Sequence, residues 1–220
     1  ALAIGADPKS LVFAGVGKSA AEIAAALKAG VKCINVESIA ELHKINRVAT
    51  ELGLRAPISL RVNPDVDAQT HPYISTGLKG NKFGIAYHEV LKTYREASLL
   101  SQIDVVGIDC HIGSQITTTA PYLDALDKVL DLVEQLKKEG IVIHHLDLGG
   151  GLGITYGNET PPDITEFTNT LLNRVAERGF GQLDVVLEPG RSLVGNAGVL
   201  LTKVEYLKPG VEKNFCIVDA

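Results

Sequence analysis

Methionine is missing from all 220 residues, and the chain opens on ALAIGADPKS. That opening reads as the tail of a helix that began upstream, ended by Gly5 and stopped by Pro8. At the other end NFCIVDA reads as a strand cut short. A piece of a longer protein is therefore the expectation. Cysteine is scarce: Cys33, Cys110 and Cys216 are odd in number, far apart and without CxxC spacing. Such usage argues against a disulfide framework and points to a reduced, cytoplasmic setting. His144 and His145 are adjacent and the other four histidines are scattered, so no metal site is expected. No stretch approaches the roughly 20 apolar residues of a membrane helix. The N-terminus lacks the basic start and long apolar run of a secretory leader. No Lys/Arg run forms a basic stripe, and the net charge of −5 speaks against nucleic acid as a partner.

What is present is an ordinary globular composition, 45% hydrophobic and 21% charged. The length suits one domain or one and a half and can bury a core of useful size. Short β-branched runs alternate with amphipathic stretches. Strands are predicted at 11–15, 32–37, 58–63, 105–111, 144–149 and 184–189, and helices at 19–30, 38–53, 87–100, 121–140 and 163–180. The 121–140 segment is the clearest helix, with Leu123, Leu126, Val129, Leu130, Val133 and Leu136 at helical spacing and KKEG at its end. Alternation of this kind means parallel βα units, in either a doubly wound sheet or a barrel. Five predicted strand ends carry polar or glycine residues: NVES, RVNP, CHIGSQ, LGGG and EPGRS. In a barrel these would ring one mouth, where such folds place their chemistry, whereas a doubly wound sheet would gather fewer of them at one crevice. The preferred fold is an incomplete α/β TIM barrel, (β/α)8 in type, with about six βα units over residues 1–197. Residues 198–220, which no longer alternate with helices, are read as the start of a C-terminal β domain.

Two motifs fail on inspection. GVGKS, residues 15–19, would need glycine at Val12 to be a P-loop, and reads as a βα turn. GGGLG, residues 149–153, lacks the last glycine of a dinucleotide fingerprint, since Ile154, Thr155 and Tyr156 stand in the three registers. Bare backbone at a strand end favours close approach by a phosphate instead, with a tight turn as the plainer alternative. DCHIGSQ offers a ring, His111, and a hydroxyl, Ser114, at another strand end. LEPGRS places Glu188 at the mouth, then a Pro189–Gly190 turn and the guanidinium of Arg191, with a local Glu188–Arg191 ion pair as the plainer alternative.

HPYISTGLKGNKFGI (71–85), CHIGSQI (110–116), LDLGGGLGI (146–154) and EPGRSLV (188–194) closely resemble the diaminopimelate decarboxylases. These are pyridoxal-phosphate enzymes of the alanine racemase-like barrel class, akin to ornithine and arginine decarboxylases. The resemblance runs from about residue 3 to 220. It implies decarboxylation of meso-diaminopimelate to L-lysine with pyridoxal 5'-phosphate, in a cytoplasmic homodimer with shared active sites. It also implies roles. His111 would stack on the pyridine ring. Ser114, Gly149, Gly150 and Gly151 would hold the phosphate. Glu188, followed by Pro189 and Gly190, would pair with the ring nitrogen, and Arg191 would bind phosphate or a substrate carboxylate. Arg61 is a further substrate-pocket candidate, and Lys82 is read as structural. The lysine that anchors the cofactor covalently belongs to a strand before Ala1 in this pattern. The family's C-terminal cysteine lies beyond Ala220 in the same pattern. Lys18 lies on the wrong strand for the first role and Cys216 in the wrong context for the second. The chain by itself is therefore expected to be inactive. Rival readings are a decarboxylase of ornithine, arginine or a carboxylated polyamine, a non-enzymatic pyridoxal-phosphate barrel, and a sugar-phosphate barrel.

Overall fold

The computed structural model describes residues 1–66 and 82–220; most of the HPYISTGLKGNKFGI motif lies outside them. Six strands form one parallel, curled sheet in the order β1 (Val12–Phe13), β2 (Cys33–Val36), β3 (Ala56–Asn63), β5 (Ile103–Cys110), β6 (His145–Asp147) and β7 (Asp184–Val186). A two-residue strand, β4 (Ile85–Ala86), also pairs with β3. The alternating pattern does not predict it, because two residues carry no periodicity. Helices α1 (Ala20–Ala29), α2 (Ile39–Leu52), α3 (Val90–Leu99), α4 (Ala120–Lys138) and α5 (Ile164–Glu177) connect successive strands. Four lie within their predicted segments, and α4 starts one residue before the predicted 121–140. An additional short helix, α6 (Gly190–Val194), replaces the expected Pro189–Gly190 tight turn, with Pro189 as its N-cap. Near the N-terminus Gly5 does end a helical turn in the left-handed conformation. Pro8, however, opens a second 3-10 turn capped by Asp7 rather than acting as a stop, because proline fits the first helical position.

Local chemistry explains the helix limits. Ser19 and Glu22 cap α1 reciprocally, each satisfying an otherwise orphaned amide. Gly30 and Gly53 end α1 and α2 in the left-handed region. In α4, Leu126, Val129, Leu130, Val133 and Leu136 are buried as the spacing predicts. Each such side chain contributes about 1.5–3 kcal/mol on burial, offset by the entropy of ordering it.

The sheet has two unlike faces. The outward residues Ile34, Val36, Ile58, Leu60, Val62, Ile108 and Leu146 are buried and form the core with the helices. The inward residues are largely polar. Pairing aligns Asn35 with Ser59, Ser59 with Gly107, and Gly107 with His145. The next inward row runs Arg61, Asp109, Asp147 and Val186. Two residues further along β5, β6 and β7 stand His111, Gly149 and Glu188. A Cβ on Gly107 would run into the imidazole of His145. Burial lowers the His145 pKa to about 4, and its Nε2 has no hydrogen-bond partner among the described residues.

The sheet's edge strands, β1 and β7, are two and three residues long. Short edges offer little template for pairing with another chain. Lys32, just before β2, meets Asp184, the first residue of β7, at 3.1 Å. The curl therefore brings the two sides of the sheet together at this end. Residues 193–220 are all exposed and contain an antiparallel pair, β8 (Val204–Lys208) and β9 (Phe215–Val218). Among the described residues no helix is long and apolar enough to cross a membrane.

Candidate functional site

The ends of β5, β6 and β7 interlock. Glu188 donates its amide to the Gly149 carbonyl at 2.8 Å, and Ile116 donates to the Gly151 carbonyl at 2.9 Å. A Cβ on Gly149 would lie 2.6 Å from the Cys110 carbonyl oxygen. One on Gly150 would strike the Glu188 carbonyl, and one on Gly151 the Gly113 carbonyl. The bareness of the glycine run thus serves the chain itself first: three loops pass too close for any side chain. Gly149 and Gly151 also have positive φ, 66° and 98°. Two of the three amides expected to face a phosphate have partners within the protein. Gly149 donates to Asp147 Oδ1 at 3.0 Å, and Gly150 to His111 Nδ1 at 3.1 Å.

That last bond defines His111. An Nδ1 that accepts a hydrogen bond belongs to a neutral imidazole. Burial, aided by Arg61, lowers the His111 pKa to about 4, which keeps the ring neutral.

Arg191 and Ser114 converge as the sequence suggests. Arg191 Nη2 donates to Ser114 Oγ at 3.0 Å, and Nη1 donates to the Tyr156 hydroxyl, whose ring lies beneath the guanidinium. Arg191 Nε is buried with no partner among the described residues. Arg191 does not pair with Glu188, so the local ion pair is not what this segment forms. The two functions are separated by α6, which turns Arg191 toward Ser114.

Glu188 faces acids instead. Partial burial, together with the Asp147 charge, raises its pKa to about 7. Asp109 is fully buried, and its pKa is raised well above the usual carboxylate range by burial and by Asp147. Asp147 is also raised, chiefly by burial. The motifs did not single out Asp109 or Asp147. Their signal was available: each is a carboxylate inside an apolar strand, two residues before His111 and Gly149 respectively.

Arg61 sits at the same mouth with its charge met by Glu37 at 2.6 Å and its guanidinium over the Phe83 ring. It is a counter-charge to the acids rather than a free cation. Lys18 is 4% exposed and bonds Gly15 O and Asn35 O at 2.6 Å and Glu41 Oε1 at 3.1 Å. It pins the β1–α1 turn. Lys82 lies over the Phe83 ring. Burial pushes the Cys33 thiol up to about 12, so it is no nucleophile, and Cys216 is exposed on β9. Among the described residues no three His, Cys, Asp or Glu side chains could hold a metal ion.

The family described as "Pyridoxal-dependent decarboxylase, pyridoxal binding domain" matches residues 1–195. This chain belongs to the pyridoxal-dependent decarboxylases. Among curated pyridoxal-dependent decarboxylases, diaminopimelate decarboxylase of Vibrio cholerae is 56% identical over 219 residues, and that of Pseudomonas aeruginosa 57% over 219 residues. Each alignment covers 100% of this chain and 52% of the relative. The chain thus spans about half the length of the curated relatives it matches. The crystal structure of diaminopimelate decarboxylase from Helicobacter pylori complexed with L-lysine aligns with a TM-score of 0.86 at 42% identity. That alignment covers 100% of this chain and 54% of the other. The resemblance and the barrel fold read from the sequence both stand.

The residues present suit the family's pyridoxal phosphate. An orphaned guanidinium nitrogen beside a hydroxyl fits a phosphate. A neutral imidazole fits the face of a ring, and acids without a full complement of cations fit a protonated ring nitrogen.

Proposed function

We propose that this chain forms the pyridoxal-phosphate cradle of a decarboxylase that converts meso-diaminopimelate to L-lysine. The observation that carries the cradle is the division of labour across the glycine turn: anion donors on one side, crowded acids on the other. The substrate rests on the names of the relatives and on the L-lysine complexed with the Helicobacter pylori relative. Bound there, the cofactor supplies an electron sink for the carbon that loses carbon dioxide.

In this reading Arg191 and Ser114 grip the phosphate, with Arg191 Nε as a donor not yet engaged by the protein. His111 lies against the ring, held neutral and oriented by the Gly150 amide. Glu188 holds a proton at the ring nitrogen. Arg61, paired with Glu37, limits the negative charge that these acids build up. Arg191 is also a candidate for a substrate carboxylate, since its planar fork suits either anion. Pro189 and Gly190 carry the chain from Glu188 into α6 and so set the Glu188–Arg191 separation. We further propose a boundary near residue 197, supported by the change from buried parallel strands to an exposed antiparallel pair. A cytoplasmic homodimer with shared sites is supported by the family resemblance.

The test is binding of pyridoxal phosphate followed by absorbance and fluorescence, with inorganic phosphate as competitor. Arg191→Ala and Ser114→Ala are expected to weaken binding, Arg191→Ala by about tenfold or more, as loss of a charge-assisted contact costs about 1.5–3 kcal/mol. Binding that neither substitution nor phosphate affects would refute the cradle. Carbon dioxide release from meso-diaminopimelate, against ornithine and arginine, in a protein that contains this chain and spans the relatives' full length tests the substrate.

A further inference from the structure

Asp147 is fully buried under the site and held from two sides. Its Oδ1 accepts from the Gly149 amide at 3.0 Å, and its Oδ2 accepts from Asn35 Nδ2 at 3.2 Å. Asn35 is itself buried and fixed, since its Oδ1 accepts from the buried Ser59 hydroxyl. Three strands, β2, β3 and β6, therefore determine where the Asp147 carboxyl points. Asp147 pairs in register with Val186, and the Glu188 amide donates to the Gly149 carbonyl at 2.8 Å, so the inward Glu188 carboxyl stands next to Asp147 on the neighbouring strand. Adjacent carboxylates disfavour each other's charge, and one shared proton relieves that repulsion.

We propose that Asp147 is the positioning residue for Glu188: held by Asn35, Ser59 and the Gly149 amide, it shares one proton with Glu188 and so sets the direction and the proton affinity of the carboxyl that meets the cofactor ring. This deepens the cradle reading and rests on it for the identity of the ring. The proton moves between two carboxyl oxygens, or from Glu188 to a ring nitrogen, and no other reactant is needed. Other charged and titratable groups face the pair. Arg61 of β3 lowers the proton affinity of both acids, whereas Glu37 beyond β2 raises that of Glu188. Asp109 of β5 adjoins Asp147, and His111 stays neutral. Because Arg61 is already met by Glu37, it does not cancel the pair.

The experiment is carbon NMR of the chain labelled at glutamate carboxyls, with the Glu188 signal assigned by its loss in Glu188→Gln. In the unaltered chain the Glu188 signal is expected to titrate near pH 7. In Asp147→Asn the midpoint should fall by about one pH unit or more, because a like charge has been removed. A packing role alone would leave the midpoint where it was, and that result overturns the proposal. A second measurement needs no variant: the Gly149 amide, reporting from the Asp147 side, should titrate with the same midpoint. An amide indifferent to pH from 5 to 9 also overturns it. Saturating pyridoxal phosphate separates the two readings. Loss of the neutral-pH titration supports both, while an unchanged titration refutes the cradle and leaves the pair standing.

Discussion

Two groups of charge share one mouth of the sheet, and they are built on opposite rules. On the β2–β3 side each acid has a base: Lys18 meets Glu41 at 3.1 Å, and Arg61 meets Glu37 at 2.6 Å. On the β5–β7 side Asp109, Asp147 and Glu188 crowd one another, with Arg61 as the nearby counter-charge. The first group is complete and holds the fold. The second raises its own proton affinities. The two sets of acids thus differ in whether each carboxylate has a partner base within the chain.

The sharpest break of this contrast is on the paired side. Lys18→Ala is expected to destabilise the chain by about 3–5 kcal/mol, because it strands Glu41 in the interior; urea unfolding measures it. Gly150→Ala should cost about 1–3 kcal/mol, since it forces the β6 and β7 loops apart, and it should separate Glu188 from Asp147. Loss of the near-neutral Glu188 titration in that variant would show that the loop contact sets the pair. On the acid side the sign reverses. Glu188→Gln is expected to stabilise by about 1–2 kcal/mol at pH 8, a range discounted for partial exposure, and to do little at pH 5. Its carboxyl has a folded pKa of about 7 against an ordinary 4.5, so it binds its proton more tightly when folded. That contribution is full below 4.5 and lost as pH rises through 7. His111 and His145, lowered from 6.5 to about 4, act the other way: their contribution is full above 6.5 and lost as pH falls through 4. The smallest effect is the baseline: removing residues 198–220, which bury nothing, should change the stability of the remainder by no more than about 0.5 kcal/mol.

Much of this was legible in the sequence. Period and caps located every main helix, because amphipathic spacing and Ser or Gly punctuation act locally. The five polar strand ends indicated the mouth, and Ser114 and Arg191 do meet across it. Three things were not legible, each for a physical reason. Gly149, Gly150 and Gly151 read as open to a ligand, but their first neighbours are carbonyls from other loops, a long-range fact. Pro189–Gly190 reads as a tight turn, but packing carries the chain on into α6 with Pro189 as its N-cap. Asp109 and Asp147 are single letters in apolar runs; their significance comes from the curl of the sheet, which sets the inward faces of β5 and β6 beside Glu188.

Gly107 and His145 carry a consequence for the order of change over evolutionary time. The imidazole fills the space that a side chain at 107 would need. A lineage can exchange His145 for a smaller residue while Gly107 stays, but it cannot enlarge Gly107 while His145 remains. Substitutions at these two positions are therefore ordered, 145 before 107, and the reverse route passes through an overpacked intermediate.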